Sequence, residues 1–167
     1  MSDLFIVNGL VYLDRQFQPK TIHVRDGKLH LLEPEEAVTG DVYDAAGQRI
    51  VPGFIDIHTH GAVGVDVNGA SAEDLEKIGQ FFAGNGTTAW LASVLTDAEE
   101  QTRSAISQCL VYQSRDSLGA QLLGIHLEGP FLASQYKGAM PEGLLRKGDP
   151  ALLASYQELA RGNIRYI

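Results

Sequence analysis

The stretch "VPGFIDIHTHG", residues 51–61, ends an apolar run with two histidines one residue apart, His58 and His60. Imidazole is the commonest metal-ligating side chain. On a strand, residues i and i+2 point to one face, so His58 and His60 share a side with Asp56, while Ile55 and Ile57 share the other. Two imidazoles so placed lie within reach of one divalent ion, and Gly61 directly after them permits a sharp exit. Alone, the pair reads more readily as ordinary strand polarity than as a metal site. A second stretch, "GIHLEGPF" (residues 124–131), sets His126 and Glu128 on one strand face, with Glu128 at the end of the run before Gly129-Pro130 turns the chain away. A carboxylate there is a candidate ligand for a cation shared with His58 and His60; alone, it reads equally as an exposed loop acid. His126 reads either as a group behind the ligands or as packed structure.

The elements that must carry these residues follow from pattern. Residues 4–52 hold short β-type runs, "LFIVNGLVYL" and "TIHVRDGKLHLL", the latter with Asp26-Gly27 as a hairpin turn signal. They predict a small N-terminal β-unit, in which His23 and His30 are isolated strand histidines without a role. From Gly53 strands and helices alternate. Ser71 and Asp74 form a capping-box signal for a helix with Leu75, Ile78 and Phe82 on one face, ending near Gly84. "TTAWLASVL" reads as a buried strand. Thr96 and Glu99 predict a second capping box, for a helix running to about Ser114, and "QLLGIHLE" reads as the next strand. Asp149-Pro150 opens a third helix, with Leu153, Tyr156 and Leu159 or Ala160 inside and Gly162 as its stop, and "NIRYI" begins another strand. Such alternation implies a parallel sheet with helical crossovers, either an open doubly wound sheet or a (β/α)₈ barrel.

Composition narrows the function classes. The 167 residues are 44% hydrophobic and 20% charged, the balance of a globular chain. With 13 Lys and Arg against 21 Asp and Glu, the net charge of −8 supplies no basic stripe for nucleic acid or an anionic membrane. The lone Cys109 lies at helical spacing with Ile106 and Leu110 and reads as a buried thiol in a reducing compartment. The start "MSDLFIVNG" lacks the basic opening and cleavage site of a secretory signal, and no apolar run reaches membrane-spanning length. The expectation is a cytoplasmic protein.

At the two chemical motifs a family resemblance becomes specific. "VPGFIDIHTHG" resembles the first barrel strand of the amidohydrolase superfamily, and "HLEGPFLASQYKGAM" resembles the matching stretch of the N-acetylglucosamine-6-phosphate deacetylases. "GAVGVDVNGA" and "GNGTTAWLASVLT" are similar to that family's glycine-rich turn and second strand. A cyclic-amide hydrolase would share the histidine pair but not "HLEGPF" with "KGA".

The resemblance implies an α/β fold: a partial TIM-type (β/α) barrel preceded by the small β-unit. Residues 1–52 would be part of a β-sandwich and residues 53–167 the first half of the barrel. It implies Glu128 as the principal metal ligand, with His58 and His60 at a second or alternative metal position. The cofactor would be a divalent ion, zinc or iron, and Ala139 and Met140 would face the substrate's N-acetyl group. Relatives usually carry His or Gln where Met140 stands, and a thioether is a weak acceptor and no donor, so the sugar stays open between glucosamine and galactosamine. Lys137 reads as a solvated loop charge rather than a phosphate contact.

The implied activity is metal-dependent removal of acetate from an N-acetylhexosamine 6-phosphate in amino-sugar catabolism, by an enzyme that is a homodimer when complete. A (β/α)₈ barrel takes roughly 250 residues, and Gly53 to Ile167 offers less than half of that. The expectation is therefore a chain truncated within its fourth barrel strand, with no catalytic residue of its own and the general-base aspartate beyond Ile167. The alternative is a non-catalytic remnant or interaction module of the same fold.

Overall fold

The computed structural model describes residues 3–33 and 35–167; Met1 and Ser2, the start of the segment read for a leader, and Pro34 lie outside the described residues. The chain divides into two compact units, Met1–Pro52 and Gly53–Ile167. Among the described residues no helix is long and apolar enough to cross a membrane.

The first unit is one sheet. β1 (Leu4–Leu13) pairs antiparallel with β2 (Gln16–Arg25), which pairs antiparallel with β3 (Lys28–Leu31). Asp26 and Gly27 make the turn between β2 and β3, both with positive φ (51° and 70°), as a two-residue hairpin of this hand requires. β4 (Asp41–Asp44) and β5 (Arg49–Ile50) then run parallel to β1. Phe5, Val11, Ile22 and Ala45 are buried there. His23 stacks on Phe5 with ring centroids 4.3 Å apart, and its Nε2 lies 3.2 Å from the Asp3 carboxylate, which makes it a packing residue.

The second unit is built on four parallel strands in the order β11-β10-β9-β6: β6 (Phe54–Thr59), β9 (Thr87–Leu95), β10 (Gln121–Glu128) and β11 (Ile164–Tyr166). The crossovers carry α1 (Ala72–Gly84), α2 (Glu99–Gln113) and α3 (Pro150–Leu159), the alternation read from sequence. A short hairpin, β7 (Gly61–Ala62) with β8 (Val65–Asp66), follows β6. Gly61, at φ 145°, makes the sharp exit: a Cβ there would collide with the backbone oxygen of Val65. Leu75, Ile78 and Phe82 of α1 meet Trp90 of β9, Ile106 of α2 and Ile125 of β10 in a single core. Cys109 is part of that core, and burial pushes its thiol up to about 12, which leaves it unreactive.

Helix α1 starts as predicted: the Ser71 hydroxyl accepts from Asp74 N at 3.2 Å and the Asp74 carboxylate accepts from Ser71 N at 3.3 Å. Asp149 caps α3 through Leu152 N at 3.0 Å. The second capping box does not form. The residue preceding α2 is Ala98, and the Thr96 hydroxyl turns instead toward β10, donating to the main-chain oxygen of Glu128 at 3.1 Å. Two residues, Asp97 and Ala98, separate Thr96 from Glu99, so the helix begins with the dipole-favourable pair Glu99 and Glu100 and no side-chain cap.

Strand β6 departs from simple alternation. Its ladder to β9 slips between Asp56 and Thr59, with Asp56 opposite Trp90 but Thr59 opposite Ala92, so three residue steps of β6 span two of β9. Such a bulge re-aims side chains. Asp56 does not join the histidine side chains as a third group; its carboxylate accepts from the His58 amide at 3.0 Å. Phe54, Ile55 and Ile57 of this strand are exposed.

Candidate metal centre

His58 lies near the end of β6, His60 just past it, and Glu128 at the last position of β10. β9 separates the two strands, yet the three side chains converge. Glu128 Oε2 is 3.0 Å from His58 Nε2 and 3.1 Å from His60 Nε2, and the two imidazole nitrogens are 3.2 Å apart. An ion with tetrahedral bonds of about 2.1 Å keeps its ligand atoms roughly 3.4 Å apart, so the trio already stands near the spacing of one ligand shell.

The donor chemistry fits a cation as well. His60 Nδ1 is 3.2 Å from the main-chain oxygen of Ser93, an atom that only accepts, so Nδ1 carries a proton. In neutral His60 the other nitrogen then presents a lone pair to a carboxylate oxygen. Two lone pairs facing each other at 3.1 Å call for positive charge between them, and a carbonyl that fixes the tautomer is a usual device behind a ligating histidine. Side-chain exposures of 52% for His58, 38% for His60 and 29% for Glu128 leave the group open on one side.

His126 stands outside the trio. It is 4% exposed, with Nδ1 2.9 Å from Ser93 Oγ, its ring stacked on Tyr166 and set edgewise to His58. Burial, aided by the neighbouring His58 and His60 and opposed by Glu128, holds its pKa below the ordinary histidine value. It is a buried packing group directly behind His58.

A cavity of about 620 Å³ opens beside the trio, lined in part by His60, Glu128, Asp97, Lys137, Ala139 and Met140. Thus the two residues assigned from sequence to the substrate side, Ala139 and Met140, share one hollow with two of the three candidate ligands; Met140 is buried and Ala139 exposed. Lys137 lines the same hollow. Its ammonium folds back to donate to the Met140 main-chain oxygen at 3.0 Å, within the loop that carries it.

No family model matches the chain. Comparison with curated proteins finds 35% identity over 156 residues with N-acetylglucosamine-6-phosphate deacetylase of Bacillus subtilis (strain 168), covering 87% of this chain and 38% of that protein. The N-acetylgalactosamine-6-phosphate deacetylase of Escherichia coli O157:H7 is 30% identical over 146 residues, with the same two coverages. Over 87% of its length the chain is related to N-acetylhexosamine-6-phosphate deacetylases of both epimers. Among solved structures, N-acetylglucosamine-6-phosphate deacetylase from Pasteurella multocida matches with a TM-score of 0.82 at 26% identity, over 97% of this chain and 43% of that one. The chain therefore spans about two fifths of the length of these deacetylases.

Within this deacetylase fold, two site residues escaped the sequence reading. Asn68 accepts from Leu95 N at 2.8 Å and donates to Asp97 at 3.1 Å, fixing the end of β9 at the cavity wall. Ser93 touches the histidines from behind. Its signal was present: it is the one hydroxyl inside the apolar run "AWLASVL".

Proposed function

We propose that this chain carries part of the metal centre of an enzyme that hydrolyses the acetamide of an N-acetylhexosamine 6-phosphate, releasing acetate and the amino-sugar phosphate. The observation that carries this reading is the convergence of His58, His60 and Glu128 to within 3.2 Å beside a cavity of about 620 Å³, in a chain related to deacetylases of both epimers. The second unit is read as the first four strands of a (β/α)₈ barrel, with the site at the carboxyl ends of the strands, where barrel chemistry is built. The first unit is read as part of a β-sandwich.

His58, His60 and Glu128 would hold a divalent ion, zinc or iron, since imidazole and carboxylate suit both. A bound ion supplies charge that polarises an amide carbonyl and makes water more acidic. Glu128 offsets that charge, while the Ser93 carbonyl keeps the His60 lone pair aimed at the site. Ala139 and Met140 would present an apolar wall to the acetyl methyl group.

The proton acceptor is not assigned to these residues. Both aspartates lining the cavity are engaged: Asp66 accepts from Asn68 N at 2.8 Å, and Asp97 accepts from Ala98 N at 2.7 Å and from the Asn68 amide. The general-base aspartate expected from the resemblance belongs to a part of the enzyme outside this sequence, and homodimeric assembly and a cytoplasmic setting rest on the resemblance alone.

The test is acetate release from N-acetylglucosamine 6-phosphate and N-acetylgalactosamine 6-phosphate with zinc or ferrous iron added, alongside zinc affinity by chelator competition. Tight zinc binding lost in Glu128→Gln would support the centre, and acetate release lost in the same variant would show that the chain supplies a proton acceptor of its own. Equal zinc affinity of wild type and Glu128→Gln would overturn the centre. Zinc binding without acetate release is the outcome expected of a chain that carries only part of the site, and a longer form that still releases no acetate would favour the non-catalytic module.

A further inference from the structure

The central strand β9 sends one polar side chain into the packed region beneath the histidine pair. Ser93 is 0% exposed and does three things there. Its hydroxyl accepts from the backbone N–H of Thr59, the residue between His58 and His60, at 3.0 Å. The same oxygen is 2.9 Å from His126 Nδ1, and a hydroxyl can accept from one group while donating to another. Its main-chain oxygen takes His60 Nδ1 at 3.2 Å.

The bulge in β6 explains why a hydroxyl is needed. Because the β6–β9 ladder slips between Asp56 and Thr59, the Thr59 amide reaches a side-chain oxygen, and the one available on β9 at that level is Ser93 Oγ. An apolar residue at position 93 would strand a polar N–H beside the candidate ligands. His126, opposite Ser93 in the β9–β10 register, extends the contact to His58, whose ring it meets edgewise at 4.8 Å between centroids. Each histidine of the pair is thus located through Ser93: His60 by the carbonyl, His58 through His126, and the backbone between them by the hydroxyl.

We propose that Ser93 is the positioning residue of the histidine pair, setting the bulge that brings His58 and His60 to a common point with Glu128. The proposal rests on the reading of those three residues as metal ligands. It assigns Ser93 no contact with substrate or ion.

Ser93→Ala removes the hydroxyl and Ser93→Thr retains it. Two measurements need no metal: hydrogen exchange at the Thr59 amide, and the ring-nitrogen chemical shifts of His126, which report its tautomer and its fixity. A third is zinc affinity by chelator competition. Ser93→Ala should speed Thr59 exchange several-fold, average the His126 nitrogen shifts and weaken zinc binding by about 10- to 100-fold, the usual range for losing a group behind a ligand. Ser93→Thr should stay close to wild type in all three, and should do so even if Ser93→Ala fails to fold. Ser93→Ala with wild-type exchange, shifts and zinc affinity would overturn the proposal, as would a folded Ser93→Thr that behaves like the alanine variant. A wild-type chain that binds no zinc would instead overturn the metal reading, and the exchange rates and nitrogen shifts would still decide whether Ser93 sets the pair.

Discussion

The Thr96 hydroxyl donates to the main-chain oxygen of Glu128 at 3.1 Å, tying the segment after β9 to the last residue of β10 at the point where the carboxylate turns toward both histidines. Directly beyond, Gly129 takes φ 95°, and a Cβ on it would collide with the same hydroxyl. The two strand ends are held together by a hydroxyl on one side and by a glycine that leaves room for it on the other.

Thr96→Val keeps the shape and deletes the donor. Loss of one hydrogen bond of this kind costs about 1 kcal/mol, to be read from the midpoint of urea unfolding. Zinc affinity should fall as well, because Glu128 loses the tether on its own backbone, whereas Thr96→Ser should restore both. A valine variant equal to wild type in stability and zinc affinity would show that the contact does not place Glu128.

Asp74 provides a pH dependence of known sign. Hydrogen bonds from Lys77 and then from Ser71 lower its pKa from 3.8 to about 2 in the folded chain. A carboxyl depressed on folding stabilises above its unfolded pKa, and that contribution disappears as pH falls through the folded value. The melting-temperature advantage of wild type over Asp74→Asn should therefore be constant above about pH 4 and shrink steadily toward pH 2. An advantage that grows on acidification, or no dependence at all, would remove Asp74 from the account of how α1 is started.

Strand and helix order was legible because each element of the second unit carries its own punctuation: Ser71 with Asp74, Asp149-Pro150, and the apolar runs closed by Gly129-Pro130. His58, His60 and Glu128 were legible as a group for the same reason, since strand ends in a parallel sheet gather on one side. What alternation cannot report is a slip in register. Asp56 was expected on the histidine side because period 2 was assumed through a bulge, and a bulge depends on what the neighbouring strand offers, here Ser93. Thr96 misled in the same way. The spacing of Thr96 and Glu99 fits a capping box, but its hydroxyl had a competing acceptor on a strand 32 residues away in sequence.

Strand β6 forms one edge of the parallel sheet, and three of its large apolar side chains face solvent: Phe54 at 67%, Ile55 at 61% and Ile57 at 57% exposure. Exposed apolar side chains along a strand edge offer both ladder groups and buriable area to another chain. Fully burying one such side chain is worth about 1.5–3 kcal/mol, and each 1.4 kcal/mol is roughly tenfold in an association constant. Sedimentation of the purified chain should reveal self-association, and Phe54→Lys or Ile55→Lys should each raise the concentration of half-association by about tenfold or more. Neither change removes a residue that touches His58, His60 or Glu128, so zinc affinity should be unchanged in both. A wild-type chain that sediments as a monomer up to high concentration would mean that the β6 edge is not adhesive, despite its exposed apolar side chains.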